Sequence, residues 1–310
     1  MTHPNAAACL MGAFVADAAT LGLHWLYDPA RIASVATTNG GPAFVPLNPA
    51  HFDGVPAYYA HAARQNGDLS QYGEVLATAI HSINDQHGFN LPEYQKAYAA
   101  HFGPGGAYVG YIDRVTRGTL QNIASGQTDP SGIDDDQLPA IAALPALVVM
   151  GAPASTAQAA VQMTNVNDTA TRHALAFADL LARVLNGEPV QTALHAAAAT
   201  TTGALHTALT AALQNTQNST DYAETTGRAC HLPMALPLAF HILANTTNYT
   251  DAINANILAG GDSCGRAIII GAVMAAAHGT SENGIPAAWI TKTNHHTALN
   301  HACQTLARNA

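Results

Sequence analysis

The sequence predicts an all-α fold. Alanine is abundant while aromatic residues make up only 6 % of the 310 residues, and alanine is the strongest helix former. Apolar side chains recur at spacings of three and four in segment after segment, and no stretch alternates apolar and polar residues as a half-buried strand does. Apolar residues account for 48 % of the chain and charged residues for 10 %, the balance of a chain with a large core rather than a disordered one. No internal repeat or linker-like stretch divides it. Residues 1–310 are therefore expected to form one domain, an orthogonal helical bundle.

The elements follow in order. Residues 6–23 read as a helix with Leu10, Ala13, Phe14, Asp17 and Leu21 on one face. A carboxylate on that apolar stripe needs partners, so Asp17 either caps a neighbouring loop or helix or belongs to a site. Residues 37–67, rich in Gly, Pro, Asn and His, read as a long loop, a kind often used for function. Ser70 or Asp68 caps a helix whose Val75, Leu76, Ala79, Ile80 and Ile83 share a face. Residues 86–90 break it, and Pro92 and Glu93 start a helix over 91–102. After a turn at 103–106, residues 108–124 are expected to be helical. Residues 126–136 carry turn chemistry, and an apolar stretch occupies 138–150. Helices are then expected at 155–164, 169–186, 190–200, 205–214, 222–230, 233–245, 249–258, 267–278 and 291–308, punctuated by Asn, Thr and Gly.

Bulk charge narrows the function classes. The formal net charge is −9 with only 11 Lys and Arg, and no basic run exists to neutralise phosphates, so a nucleic-acid duplex is not expected as a partner. Cys9, Cys230, Cys264 and Cys303 form no CxxC pair and no zinc-finger spacing with His, which fits a reduced, cytoplasmic setting. The N-terminus lacks the pattern of a signal peptide. The apolar runs at 144–150 and 267–277 are too short to span a bilayer, so no membrane partner is expected.

The densest motif is Gly260-Gly261-Asp262-Ser263-Cys264-Gly265-Arg266. Two glycines and an acid opening an apolar helix set a carboxylate and free backbone N–H groups at the positive end of that helix. From here to Trp289 the chain resembles the carboxy-terminal signature of the ADP-ribosylglycohydrolase family. That signature reads Gly-Gly-Asp-Thr-Asp-Thr, an apolar helix with small residues, then Gly and Ile-Pro-x-x-Trp. Its counterpart here ends in Ile285-Pro286-Ala287-Ala288-Trp289, with Gly271 in register with a family glycine. Gly12-Ala13-Phe14-Val15-Ala16-Asp17-Ala18 is similar to the family's Gly-Ala-x-x-Gly-Asp-Ala. His24-Trp25-Leu26-Tyr27-Asp28, Tyr72-Gly73-Glu74 and Asp134-Asp135-Asp136-Gln137 resemble the branch that includes the J1 crystallins. Each piece is weak alone, but together they span nearly the whole chain in the right order.

The resemblance implies the family's all-α orthogonal bundle and its use of two Mg²⁺ ions, held by a Thr-Asp-Asp run and an Asp-x-Asp-Thr run. Carried onto this chain, the first run matches Tyr72-Gly73-Glu74 and keeps one acid, Glu74. The second matches Asp262-Ser263-Cys264-Gly265 and keeps Asp262. Mg²⁺ seeks hard oxygen ligands, and the thiol of Cys264 is a poor substitute. The expectation is one Mg²⁺ ion or none, with Glu74 and Asp262 as its ligands.

Arg266 places a cation near a helix N-terminus, opposing the macrodipole by about 0.3–1 kcal/mol when exposed. Either its guanidinium lies between Glu74 and Asp262 in place of lost metal charge, or it points to solvent or a nearby acid. The family's diphosphate loop falls at Gly132-Ile133-Asp134-Asp135-Asp136-Gln137, whose acids would repel a diphosphate, or else cap the next helix. Asn165 lies in a segment, residues 163–168, similar to a family Thr-His-x-Asp run, and either lines the pocket or belongs to a cap. His24 is the best-placed histidine, a site residue or a core one, and His295-His296 read as surface. Cys264 sits where helix N-termini lower thiol pKa values, but no His or Asn is tied to it by sequence.

The function so implied is hydrolysis of an N- or O-glycosidic bond in an ADP-ribosyl or related ribosyl compound, free or on a protein. Glu74 is the general base or metal ligand and Asp262 its partner, while Asp17, His24, Asp135, Asn165, Ser263 and Arg266 contact substrate. The alternative is a non-catalytic descendant that keeps the fold as a ligand-binding or crystallin-like structural protein. Whether residues 37–67 form a lid over the cleft stays open.

Overall fold

Sixteen α-helices, three short 3-10 turns and no strand make up residues 3–310, the part described by the computed structural model. In chain order the helices are α1 (Ala6–Thr20), α2 (Pro29–Thr38), α3 (Gln71–Gln86), α4 (Leu91–Phe102), α5 (Arg114–Ala124), α6 (Leu144–Val149), α7 (Ala154–Gln162) and α8 (Asp168–Leu185). They continue as α9 (Val190–Ala199), α10 (Gly203–Gln214), α11 (Ser219–Thr226), α12 (Leu232–Ala244), α13 (Tyr249–Ala259), α14 (Ser263–His278), α15 (Ala287–Lys292) and α16 (His296–Asn309).

Local chemistry sets most boundaries. Ser70, not Asp68, caps α3 by accepting from the Tyr72 N–H, as a short polar side chain does best. Asp113 accepts from the Thr116 N–H and starts α5 six residues later than the periodicity suggests, so residues 103–113 remain irregular. The loop expected at 37–67 is preceded by α2, whose signal was present in the sequence: Asp28 accepts from the Arg31 N–H and Pro29 opens the first turn. The final helix is two, because His295 adopts a left-handed backbone at φ 59°.

The centre of the molecule is the pairing of α1 with α14, the most extensive contact between any two helices. Glycine makes it possible. A Cβ on Gly12 would stand 2.3 Å from the Ala275 Cβ and 2.7 Å from the Gly271 carbonyl oxygen, and one on Gly271 would stand 2.5 Å from the Ala16 Cβ. The backbones therefore meet with nothing between them, and the Tyr249 hydroxyl donates to the Gly12 carbonyl at 2.5 Å. Helices α3, α6, α13 and α16 pack on α1, and α8, α12 and α13 pack on α14. Residues 6–23 are long and apolar enough to cross a bilayer, unlike the two runs singled out above, but 89 % of that stretch is buried inside the protein.

Candidate functional site

The site forms where the start of α14 meets the end of the first helical segment and the start of α3. Gly260 and Gly261 turn the chain into α14 at φ 74° and 70°, and a Cβ on Gly261 would lie 2.0 Å from the Arg228 carbonyl oxygen. Asp262 follows as the helix cap and is fully buried. Its Oδ1 accepts from the Gly265 N–H at 3.1 Å, and its Oδ2 accepts from the Tyr72 hydroxyl at 2.8 Å and the Trp25 indole N–H at 3.2 Å. Burial raises the Asp262 carboxyl above its usual range, opposed by the Tyr72 hydrogen bond and the positive charge of Arg266.

Trp25 occupies the left-handed backbone region at φ 62°, an uncommon conformation for a bulky residue. The turn holds it: its N–H donates to the Gly261 carbonyl at 2.8 Å and its own carbonyl accepts from the Tyr58 N–H at 2.9 Å. His24, beside it, is buried and accepts the Cys264 N–H on Nδ1 at 3.1 Å. Burial, then the charge of Arg266, pulls the His24 imidazole down to about 3. It is neutral, and its 3.8 Å approach to Asp262 is not an ion pair.

Asp17 behaves as a cap for a neighbouring helix. Its carboxylate accepts from the Ser70 N–H at 2.7 Å and the Ser70 hydroxyl at 2.5 Å, tying α1 to the start of α3. Burial pushes it up to about 7 from 3.8, against the lowering effect of the two Ser70 bonds. The folded chain then binds this proton more tightly than the unfolded chain, so stability falls as pH rises from about 4 to about 7. The full effect is up to about 4 kcal/mol. Asp17→Asn is expected to flatten this slope, read as urea midpoints at acid and neutral pH; an unchanged slope would show that Asp17 is not its source.

Several expected site residues lie elsewhere. Glu74 does not share the Asp262 cluster: Arg64 donates to its Oε1 at 2.6 Å and His101 Nε2 sits 3.0 Å from its Oε2. These groups line a separate cavity of about 400 Å³ with His81, Asp85 and Asn294. The run of α3 that meets Asp262 is Ser70-Gln71-Tyr72, two residues earlier than the sequence pairing placed it, and it holds no acid. Gln71 instead binds Asp113, its amide donating to the carboxylate at 2.8 Å and its carbonyl accepting the Asp113 N–H at 2.7 Å.

Arg266 neither bridges Glu74 and Asp262 nor points to solvent. It is fully buried and lies under the glycine turn, donating to the Asn256 side-chain oxygen at 3.0 Å, the Arg228 carbonyl at 3.1 Å and the Gly260 carbonyl. It does not line the cleft. Ser263 is fully buried with its hydroxyl unpartnered among the described residues. Cys264 is sealed in, and burial raises its thiol well above the usual value, so it is no nucleophile.

The Asp134–Asp136 loop is not a simple helix cap. Asp135 is buried and pairs with Arg114, Asp136 pairs with His231, and Asp134 accepts from Asn167 at 2.7 Å. Asn165 supports this loop from behind, donating to the carbonyls of Asp135 and Gln137, and Asn167, two residues on, caps α8. The sequence reading missed Trp25, Gln71, Tyr72, His61, Tyr111 and Asp113 as members of the cluster. Trp25 and Tyr72 sit inside the segments 24–28 and 72–74, and His61 sits in the long loop read over residues 37–67. Nothing in the sequence alone singled out Asp113.

The family model described as ADP-ribosylglycohydrolase matches residues 2–310. The chain belongs to the ADP-ribosylglycohydrolase family. Crystallin J1A of Tripedalia cystophora is 29 % identical, the alignment covering 94 % of this chain and 92 % of the crystallin. Crystallin J1B of the same organism is also 29 % identical, over 93 % and 92 %. A solved structure titled ADP-ribosylglycohydrolase-related protein complex superposes with a TM-score of 0.74 at 15 % identity, covering 99 % of this chain and 98 % of that one. The all-α fold is thus that of the family.

The metal centre that the family resemblance implies does not fit the residues of this member. Among the described residues, no three His, Cys, Asp or Glu side chains converge as metal ligands. Both Asp262 oxygens already accept hydrogen bonds, Cys264 stands two residues beyond it, and α3 presents an amide and a phenol where carboxylates are needed. A hard dication requires several oxygen ligands free to turn towards it.

Proposed function

We propose that this ADP-ribosylglycohydrolase-family member works without a dinuclear Mg²⁺ centre and keeps the cleft beside Asp262 as a binding site for a small ribosyl ligand, free or attached to a protein. The observation that carries this reading is the closed hydrogen-bond shell of Asp262, built by Tyr72, Trp25 and Gly265. A carboxylate so held orients its donors and has little capacity left for holding a metal or activating water. Glu74, engaged by Arg64 and His101, is no better placed as a general base. What remains at the cleft is a ring of aromatic and imidazole side chains around buried acids, suited to holding a sugar by its faces and hydroxyls.

A second reading has its own observation. The space between His24, Trp25, His61, Tyr72 and Tyr111 is only about 10 Å³, room for about one water molecule. A cleft this full also suits a protein kept for its fold, as the name crystallin of two relatives suggests.

Calorimetry with Mg²⁺, Mn²⁺ and ADP-ribose separates these readings, alongside an assay for ADP-ribose release from a modified protein. The expected result is no metal heat, metal-free binding of ADP-ribose and no release. Mg²⁺-dependent release that is lost in Asp262→Asn would restore the metallo-hydrolase. Silence towards all ligands would leave the crystallin-like reading.

A further inference from the structure

Residues 59–63, on the irregular segment between α2 and α3, have little to hold them. None of their N–H groups donates to another backbone group among the described residues, and Ala62 and Ala63 are exposed. Both ends of the stretch are pinned. On one side the Tyr58 N–H donates to the Trp25 carbonyl at 2.9 Å. On the other, the Arg64 guanidinium donates to the Leu69 carbonyl at 3.1 Å and to Glu74 at 2.6 Å. Between these pins one side chain is buried, that of His61, only 4 % exposed. Its ring packs against His24 and Trp25, with centroids 5.1 and 6.5 Å away. Neither ring nitrogen has a partner among the described residues. The packing of one imidazole therefore holds the stretch down.

A permanent plug would be apolar, whereas an exposed imidazole takes a proton just below neutral pH. In place, His61 resists that proton. Burial is the main cause, His24 and Arg64 add to it, and Asp262 at the start of α14 opposes it; the balance keeps the ring well below its usual 6.5. The neighbouring groups are already committed. His24 spends Nδ1 on the Cys264 N–H, and the Tyr72 hydroxyl and the Trp25 indole both turn to Asp262. The Asp113 carboxylate accepts from Gln71 and the Thr116 N–H, and the remaining titratable neighbour, Tyr111, lies in front of α5. An imidazolium here would bring two donors with no acceptor turned to meet them.

We propose that residues 59–63 form an acid-released flap, hinged at Tyr58 and Arg64 and latched by the His61 ring. The open flap binds a proton that the closed flap refuses. Its population therefore rises about tenfold for each pH unit below about 6.5. Opening uncovers His24 and Trp25 beside Asp262 while the helices stay in place. The inference concerns the movement of this segment and is independent of what the cleft binds.

Hydrogen exchange on the full chain tests it. The Arg64 N–H donates to the His61 carbonyl at 2.9 Å. Its protection, corrected for the chemical exchange rate at each pH, therefore reports the closed fraction. That protection is expected to fall more than about tenfold between about pH 6.5 and pH 5, while the amides of α14 keep theirs. His61→Phe fills the place with a ring that takes no proton, and is expected to hold Arg64 protection constant over the same range. His61→Ala removes the ring and is expected to lower it at every pH, which separates a latch from a bystander. Constant Arg64 protection in the parent, the same fall in His61→Phe, undiminished protection in His61→Ala, or a fall shared by α14 would each overturn the proposal.

Discussion

Arg266→Met is expected to destabilise the protein by about 3–5 kcal/mol, the range for removing one member of a buried charged network. The guanidinium is the only group that reaches the Asn256 side-chain oxygen and the carbonyls of Arg228, Asn256 and Gly260 together. Burial pulls it down to about 10, opposed by the nearby Asp262, so it remains charged at neutral pH. The thioether offers no donor, so the Gly260 and Asn256 carbonyls lose the guanidinium in a place water does not reach, while the Arg228 carbonyl keeps only the Asp262 N–H. Asp262 also loses the positive neighbour that offsets its own burial. Arg266→Lys keeps the charge but brings a compact ammonium in place of a planar fork, and is expected to recover only part of the loss. Urea denaturation measures both variants. A Met variant within about 1 kcal/mol of the parent would mean the carbonyls find other donors.

Gly12→Val is expected to be nearly as damaging, at about 3 kcal/mol, the upper end for forcing extra carbons into a packed core. The added side chain meets the Ala275 Cβ and the Gly271 backbone, neither of which can rotate away. Relief requires α1 and α14 to separate, which strains the Tyr249 bond to the Gly12 carbonyl and drags on the Asp17 cap downstream. Gly88→Val is the matched control, since a Cβ there meets nothing within 4 Å. Thermal unfolding of the two compares them. Equal losses would show that the helix crossing is more pliant than its geometry indicates.

Both predictions concern residues that the sequence marked for other reasons. The helices were legible because their start signals are local: Ser70 before Tyr72, and Pro92 with Glu93, announce α3 and α4 without any tertiary information. Asp17 was legible as a buried acid because the periodicity puts it on the apolar stripe, and its partner Ser70 was itself recognisable as a cap. The separation of Glu74 from Asp262 was not legible, because a short motif can be aligned in two ways. Only the turn of α3 in space shows that Tyr72 faces Asp262 while Glu74 faces Arg64. Arg266 was seen to break a local electrostatic rule, but the reason lies in the carbonyls of Asn256 and Gly260 at the end of α13 and that of Arg228. His61 and Asp113 enter the cleft from irregular segments whose paths no periodicity encodes.

The pairing of α1 with α14 also bears on how the protein is made. Helix α1 must wait for a partner that begins at Ser263, about 250 residues later, or on the order of 10–50 s at ordinary rates of synthesis. Throughout that interval the face of residues 6–23 that meets α14 lacks its main partner. Messages truncated before codon 263 should yield chains that aggregate or are degraded rather than stable fragments.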